Sequence, residues 1–286
     1  MSNAVWKFGD VIITRFVEME ITVPLVGVLP DAQPSALSRH ESWLKPYFLD
    51  DQGQCLLSFA AFVVESSGKR ILVDTCLGEH ANPFGALGPL STDLLTSMSN
   101  AGFPKESLDF VVCTHLHFDH VGWNTIKSGN KWVPTFYNAR YLFSAKEYEH
   151  WLGEPANHLI SSFDNAVKPV VEAGLADLVE MNHQINDEVW LEPTQGHSPG
   201  HMSVRIESKG KQAMIAGDIA HHPVQLAEPD WSLPMDYDTK QAAATRRRIV
   251  AEHADSSLWI IGPHYAAPSA GRLISVNGSI QFRTDA

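Results

Sequence analysis

Short apolar runs at Val11–Phe16, Leu56–Glu65 and Arg70–Asp74 read as strands. Ser66-Ser67-Gly68-Lys69 between the last two predicts a hairpin turn. A helical pattern over Thr92–Ala101 precedes a further apolar strand at Asp109–Cys113. Next come a strand at Arg140–Phe143 and helical patterns at Ala145–Leu152 and Leu159–Ala173. The second half is again strand-rich, with Leu178–Met181, Glu188–Thr194, Met202–Glu207 and Gln212–Ala216. A helix at Thr239–Ala254 and a strand at Leu258–Ile261 follow, and Arg272–Phe282 closes as a hairpin about Asn277-Gly278.

The two halves thus share an order, strands first and helices after. That order predicts an α/β fold of four layers, an αβ/βα sandwich with two mixed sheets face to face and helices outside. Residues 1–286 suit one such domain, long enough to bury a large core. The stretch from about 23 to 53 differs. Pro24, Pro30, Pro34 and Pro46 break regular elements, while Trp43, Tyr47 and Phe48 want burial. It reads as an ordered excursion over a neighbouring surface, either a pocket rim or a subunit contact.

Several strand ends carry chemistry. His115-Leu116-His117-Phe118-Asp119-His120 runs straight off Asp109–Cys113 and puts three imidazoles and a carboxylate within six residues. Imidazole nitrogen and carboxylate oxygen suit borderline divalent metals such as zinc. If the strand continues, period two sets His115, His117 and Asp119 on one side and turns His120 elsewhere, so one turn can serve two ions. Three later positions also sit at strand-to-loop junctions: His197 in Gly196-His197-Ser198-Pro199-Gly200-His201, Asp218 after Ala213–Ile215, and His264 after Trp259–Ile261. The C-terminal ends of strands are where open α/β sheets bind ligands.

Composition narrows the rest. A formal net charge of −12 argues against a nucleic-acid surface, which needs a basic patch. Arg246-Arg247-Arg248 reads as a solvated helix face rather than a phosphate cradle. Cys55, Cys76 and Cys113 are odd in number and widely spaced, so no disulfide framework is implied and the cytoplasm is the expected location. There is no signal-like opening segment and no membrane-spanning run.

The ligand pattern, His-x-His-x-Asp-His followed by His, Asp and His, resembles that of the metallo-β-lactamase superfamily from about Phe62 to His264. The resemblance implies that His115, His117 and His197 hold one metal ion, that Asp119, His120 and His264 hold a second, and that Asp218 bridges them. Asp74 in Leu72-Val73-Asp74-Thr75 is similar to the family's aspartate that orients a metal-bound histidine. The implied cofactors are two divalent ions, zinc first, with Mn, Fe or Co as alternatives. Asp218 disfavours the true β-lactamases, and His117 stands where flavodiiron members carry glutamate. Cys113–Asn124 and Gly217-Asp218-Ile219-Ala220-His221 look most like the lactonases and the methyl parathion hydrolase group. The best-known acyl-homoserine lactonases have a tyrosine where this chain has His221.

The implied activity is a dinuclear hydrolase in which a metal-bridged hydroxide attacks a lactone or related ester, with phosphotriester hydrolysis as a side activity. Asp119 would relay the proton to the leaving group, and His221 either hydrogen-bonds the substrate oxygen or supports the site from outside it. Phe118, Trp123 and Trp151, with Trp43, Phe48 and Trp231, either wall a cavity or belong to the core. A small-molecule substrate is expected, with no nucleic acid and no membrane, and a homodimer is permitted. Two alternatives stay open: a thioester hydrolase of glyoxalase type, and a mononuclear-iron persulfide dioxygenase.

Overall fold

The computed structural model describes residues 3–79, 93–154 and 162–284. Its first sheet begins with β1 (Val5–Phe8), β2 (Val11–Pro24), β3 (Gln54–Ser66), β4 (Lys69–Val73) and β5 (Phe110–Val112). A separate hairpin follows, β6 (Thr125–Ser128) with β7 (Lys131–Pro134), before β8 (Arg140–Ser144) and β9 (Ala176–Val179) complete the sheet. Its order is β1-β2-β3-β4-β5-β8-β9, antiparallel as far as β4 and parallel from β4 to β9.

The second sheet runs in chain order: β10 (Gln184–Asn186), β11 (Val189–Pro193), β12 (Met202–Ser208), β13 (Lys211–Ile215), β14 (Trp259–Ile261), β15 (Ala270–Val276) and β16 (Ser279–Arg283). Neighbours there are antiparallel except β13 and β14, which run parallel.

Side-chain alternation divides the core into layers. On β3, Ala60, Phe62 and Val64 face inward and meet Leu191, Val204, Ile206 and Ile215 of the second sheet. Ala61 and Val63 face outward, where Leu94 and Met98 of the helix Leu94–Asn100 and Val167 and Val170 cover them. The second sheet turns Met214, Ile260 and Phe282 outward against Ile249 of the helix Thr239–His253. Leu25, Leu29, Leu44 and Phe48 of the Pro-rich excursion complete that outer layer. The four-layer sandwich expected from the order of elements is what the chain forms.

Several boundaries differ from the sequence reading. The strand expected at Leu178–Met181 begins earlier and belongs to the first sheet. It pairs parallel with β8 after a helical crossover, so it closes the first half rather than opening the second. The strand Val11–Phe16 extends to Pro24, bending through an irregularity between Val17 and Met19. Position 92 of the expected Thr92–Ala101 helix and positions 159–161 of Leu159–Ala173 lie outside the described residues. The remainder of the latter is a wide turn at Phe163–Val167 followed by a short helix Lys168–Glu172, in which Pro169 supplies no N–H.

Candidate metal centre

β5 ends at Val112, and Phe118–Val121 is a single helical turn, so strand alternation does not set the aim of His115, His117 and Asp119. Buried carboxylates do. Asp74 accepts the backbone N–H and the hydroxyl of Thr114, at 2.7 and 2.9 Å. Glu147, fully buried on the helix Ala145–Gly153, accepts the backbone N–H of Leu116 at 3.3 Å. With its N–H groups held by side chains, the segment leaves the sheet and presents His115 and His117 together.

The other ligand-type residues arrive from the second sheet. Asp218 follows β13 through Gly217, whose φ is +56° and where any Cβ would lie 2.7 Å from His201 Nε2. His264 follows β14, and His197 lies between β11 and β12. All seven positions singled out in the sequence converge. The carboxylate oxygens of Asp218 lie 3.1–3.6 Å from the Nε2 atoms of His115, His120, His197, His221 and His264. Asp119 Oδ2 lies 3.7 Å from His120 Nε2 and 3.6 Å from His264 Nε2. Ligand atoms of His115, His117, His197 and Asp218 form one compact group, and those of Asp119, His120 and His264 another.

The outward nitrogens fix the rings. His120 Nδ1 donates to Asp74 at 2.9 Å, His264 Nδ1 to the Ser58 carbonyl at 2.9 Å, and His197 Nδ1 to Asp236 at 2.9 Å. Rings held this way turn their second nitrogens inward. Inward nitrogens then face each other: His117 Nδ1 and His197 Nε2 at 2.9 Å, and His120 Nε2 and His264 Nε2 at 3.3 Å. A shared proton can join one such pair, but His115 Nε2 and Asp218 Oδ1 are buried without any hydrogen-bond partner. Orphaned acceptors among crowded nitrogens are the donor set that a cation satisfies. The residues present therefore fit metal ions.

The electrostatics favour positive charge on part of the cluster: against burial, nearby carboxylates hold His197, at about 9, and His264 above the ordinary imidazole value. Burial works against a charge on Asp218, yet the surrounding imidazoles, His120 foremost, outweigh it and hold the carboxyl well below the usual carboxylate range. Burial, then neighbouring imidazoles, keep His115 and His117 neutral. For His120, burial is overcome by the carboxylates of Asp218, Asp119 and Asp74, which draw positive charge toward that ring.

A cavity of about 510 Å³ opens over the cluster. Phe118, Asp119, His221 and Phe59 line it together with aliphatic residues of β2 and of the excursion. His221 stacks on His264 with centroids 4.8 Å apart and planes 5° from parallel. A second cavity, of about 310 Å³, adjoins through His117, His197 and Met235, and Trp151 lines that one. Trp123 lines neither: its indole N–H donates to Glu18 at 2.6 Å, within the outer core of the first sheet. Trp43, Phe48 and Trp231 likewise pack outside the second sheet.

Sequence reasoning did not single out Glu147, Asp236 or His201. His201, pushed down to about 3 by burial, accepts the backbone N–H of Asp218 at 2.8 Å and so shapes the turn. The arginine run also divides. Arg247 and Arg248 are partly exposed, but Arg246 is 1% exposed and bonds to the carbonyls of Pro229 and Ile219 rather than to solvent.

Comparison with known proteins follows the same lines. Residues 58–255 match the family model described as the metallo-beta-lactamase superfamily. An N-acyl homoserine lactonase of Bacillus cereus is 28% identical over 161 residues, 52% of this chain and 58% of that protein. The N-acyl homoserine lactonase AiiA of Bacillus thuringiensis subsp. kurstaki is 27% identical over 167 residues, 54% of this chain and 60% of its own length. The match thus spans less than two thirds of these relatives. Among solved structures, the hydrolase AbOPH of the beta lactamase superfamily superposes with a TM-score of 0.81 at 27% identity, covering 99% of this chain and 97% of that one. AidC, a dizinc quorum-quenching lactonase bound to N-hexnoyl-L-homoserine, superposes at 0.78 with 19% identity and the same coverages, a likeness of fold.

Proposed function

This chain belongs to the metallo-beta-lactamase superfamily, and we propose that it is a metal-dependent hydrolase of lactones and related carboxylic esters. The observation that carries the reading is Asp218, a buried carboxylate ringed by five imidazole nitrogens at 3.1–3.6 Å at the floor of an apolar cavity. In this reading His115, His117 and His197 would hold one divalent cation, Asp119, His120 and His264 would hold a second, and Asp218 would serve both. Zinc suits the nitrogen-rich donor set best, with Mn, Fe or Co as substitutes. When bound, such cations supply Lewis acidity, acidifying water and polarising the ester carbonyl.

The chain's own residues do the rest. Asp74 and the Ser58 carbonyl keep His120 and His264 in the tautomer that turns Nε2 inward. Asp119, partly exposed to the cavity, accepts the proton that the attacking water releases and passes it to the leaving oxygen. His221, also facing the cavity, donates a hydrogen bond to the substrate oxygen, the place for which its position beside Asp218 suits it. Ile21, Val23, Leu57 and Phe59 exclude water and favour neutral, apolar acyl groups over charged ones. Neutral phosphotriesters share that lack of charge, which supports a slower side activity on them.

The test is one cation-loaded preparation, with its metal counted, assayed on γ- and δ-lactones, an aryl ester, a thioester and a phosphotriester. Lactones turn over fastest if the reading holds. Lactone hydrolysis no faster than the cations alone in buffer overturns it, and a thioester in first place moves the assignment to another substrate class.

A further inference from the structure

The two histidine groups are tethered differently. His120 is held by Asp74, which sits at the end of β4 and takes two bonds from Thr114 at the end of β5, so its anchor is the sheet itself. His197 is held by Asp236, which lies on the loop between Pro229 and Asp238, outside either sheet.

That loop is built around one buried charge pair. Arg246 reaches in from the helix Thr239–His253 and donates to the Pro229 carbonyl at 2.8 Å and to the Ser232 hydroxyl at 3.2 Å. Its guanidinium lies 3.6 Å from Asp236 Oδ2, with both side chains about 2% exposed or less. The same carboxylate oxygen accepts the backbone N–H of Leu233 at 3.1 Å. On the far side, Tyr237 N–H donates to the His197 carbonyl at 3.0 Å and Asp238 N–H to the Gly196 carbonyl at 2.9 Å. Leu233, Pro234 and Met235, the residues just before Asp236, wall the larger cavity, and Met235 also borders the smaller one. One short loop therefore carries both the wall that substrate would press on and the carboxylate that aims a histidine.

We propose that Asp236 is a positioning residue that sets the affinity of the cation held by His115, His117 and His197, and that this cation, unlike its neighbour, is governed by the cavity-wall loop. The inference rests on the two-cation reading above, and its test is independent of turnover. Cation-free protein is titrated with Co2+ while visible absorption and a competing chelator report each binding step. In Asp236→Asn, which keeps an acceptor but removes the charge, one step weakens by about 10- to 100-fold, the range for losing an outer partner of a ligating histidine. The other step is unchanged. Asp74→Asn weakens the step that Asp236→Asn spares; because Asp74 also holds Thr114, which touches His115 Nδ1 at 3.1 Å, the other step shifts with it.

Two unaltered steps in Asp236→Asn overturn the proposal, as does equal weakening of both, which marks general loosening of the fold. Asp236→Ala is expected to exceed the asparagine variant in the same step. If the alanine protein does not fold, the asparagine protein alone decides. A wild-type protein that takes up two Co2+ ions yet leaves lactones intact ends the lactone assignment and leaves this inference standing.

Discussion

Glu147 accepts the backbone N–H of Gly200 at 2.7 Å, and through that bond a helix bearing no ligand holds the loop that presents His197. The same carboxylate takes the hydroxyl of Ser198 at 2.8 Å and the indole N–H of Trp151 at 2.8 Å. With the N–H of Leu116, four donors from three segments converge on one buried side chain. Gly200 lies so close that a Cβ there would sit 2.4 Å from Glu147 N.

Glu147→Ala strands those four donors away from water. At about 1–3 kcal/mol for each buried donor left unpaired, the loss is on the order of 4 kcal/mol or more. That corresponds to a melting temperature lowered by roughly 5–10 °C for a chain of this size. Cation content is expected to fall as well, because both histidine loops lose their common anchor. Thermal unfolding with metal analysis checks this, and a variant that melts like wild type contradicts it.

Asp218→Ala removes the carboxylate that lies 3.1–3.6 Å from imidazoles of both groups. Turnover is expected to drop by more than the roughly 100-fold that loss of an outer partner costs, with cation content reduced. Chelation of the wild-type protein is expected to abolish turnover and lower the melting temperature, and added divalent cation restores both. Acidification acts in the same direction, since imidazoles bind metal only when neutral and protons compete for them. Turnover that survives prolonged chelation at full rate excludes the metal-dependent scheme.

Phe118 and Trp123 sit close in sequence but in different surroundings, and their replacements separate accordingly. Phe118 lines the cavity, so Phe118→Ala is expected to change the preference among esters of different acyl length, through KM first. Trp123 bonds Glu18 inside the outer core, so Trp123→Phe is expected to lower stability by about 1–3 kcal/mol and leave that preference alone. Assays across an acyl-length series distinguish the two.

The three cysteines of the described residues are buried, and burial raises all three thiols. Cys55 moves from an ordinary 9.0 to about 12. Its thiolate is thereby about a thousandfold scarcer at pH 8 than that of a free cysteine, so reaction with an aromatic disulfide reagent is expected to be markedly slower. A raised thiol pKa also sets a direction for stability. Folded protein retains protons that the unfolded chain gives up above pH 9, so this contribution is intact below pH 9 and declines as pH climbs toward 12. Denaturant midpoints at pH 8 and pH 10 check the sign.

The seven positions that converge were legible in the sequence because metal binding demands particular residue types, clustered tightly or set just past apolar strands. The layer order was legible because strands and helices recur in the same sequence in each half. Asp236 and Glu147 were not, since each is an ordinary acidic residue whose partner is 31 to 53 positions away, and nothing local marks it. Arg246 was misread for a geometric reason. Three consecutive residues on a helix point about 100° apart, and composition cannot say which of them turns inward. Trp123 stayed open between cavity wall and core because an indole beside a metal motif looks the same whether it faces a cavity or a buried glutamate.

The excursion at 25–53 does two things at once. Its leucines and Phe48 seal the outside of the second sheet, while Gly27 and Val28 roof the cavity over a centre to which it contributes no ligand-type residue. The roof's share of selectivity thus sits on a stretch apart from the clustered side chains, whereas the wall at Leu233, Pro234 and Met235 adjoins Asp236 and does not. Retailoring that roof would redirect the protein toward new molecules while the reactive machinery beneath stayed as it is.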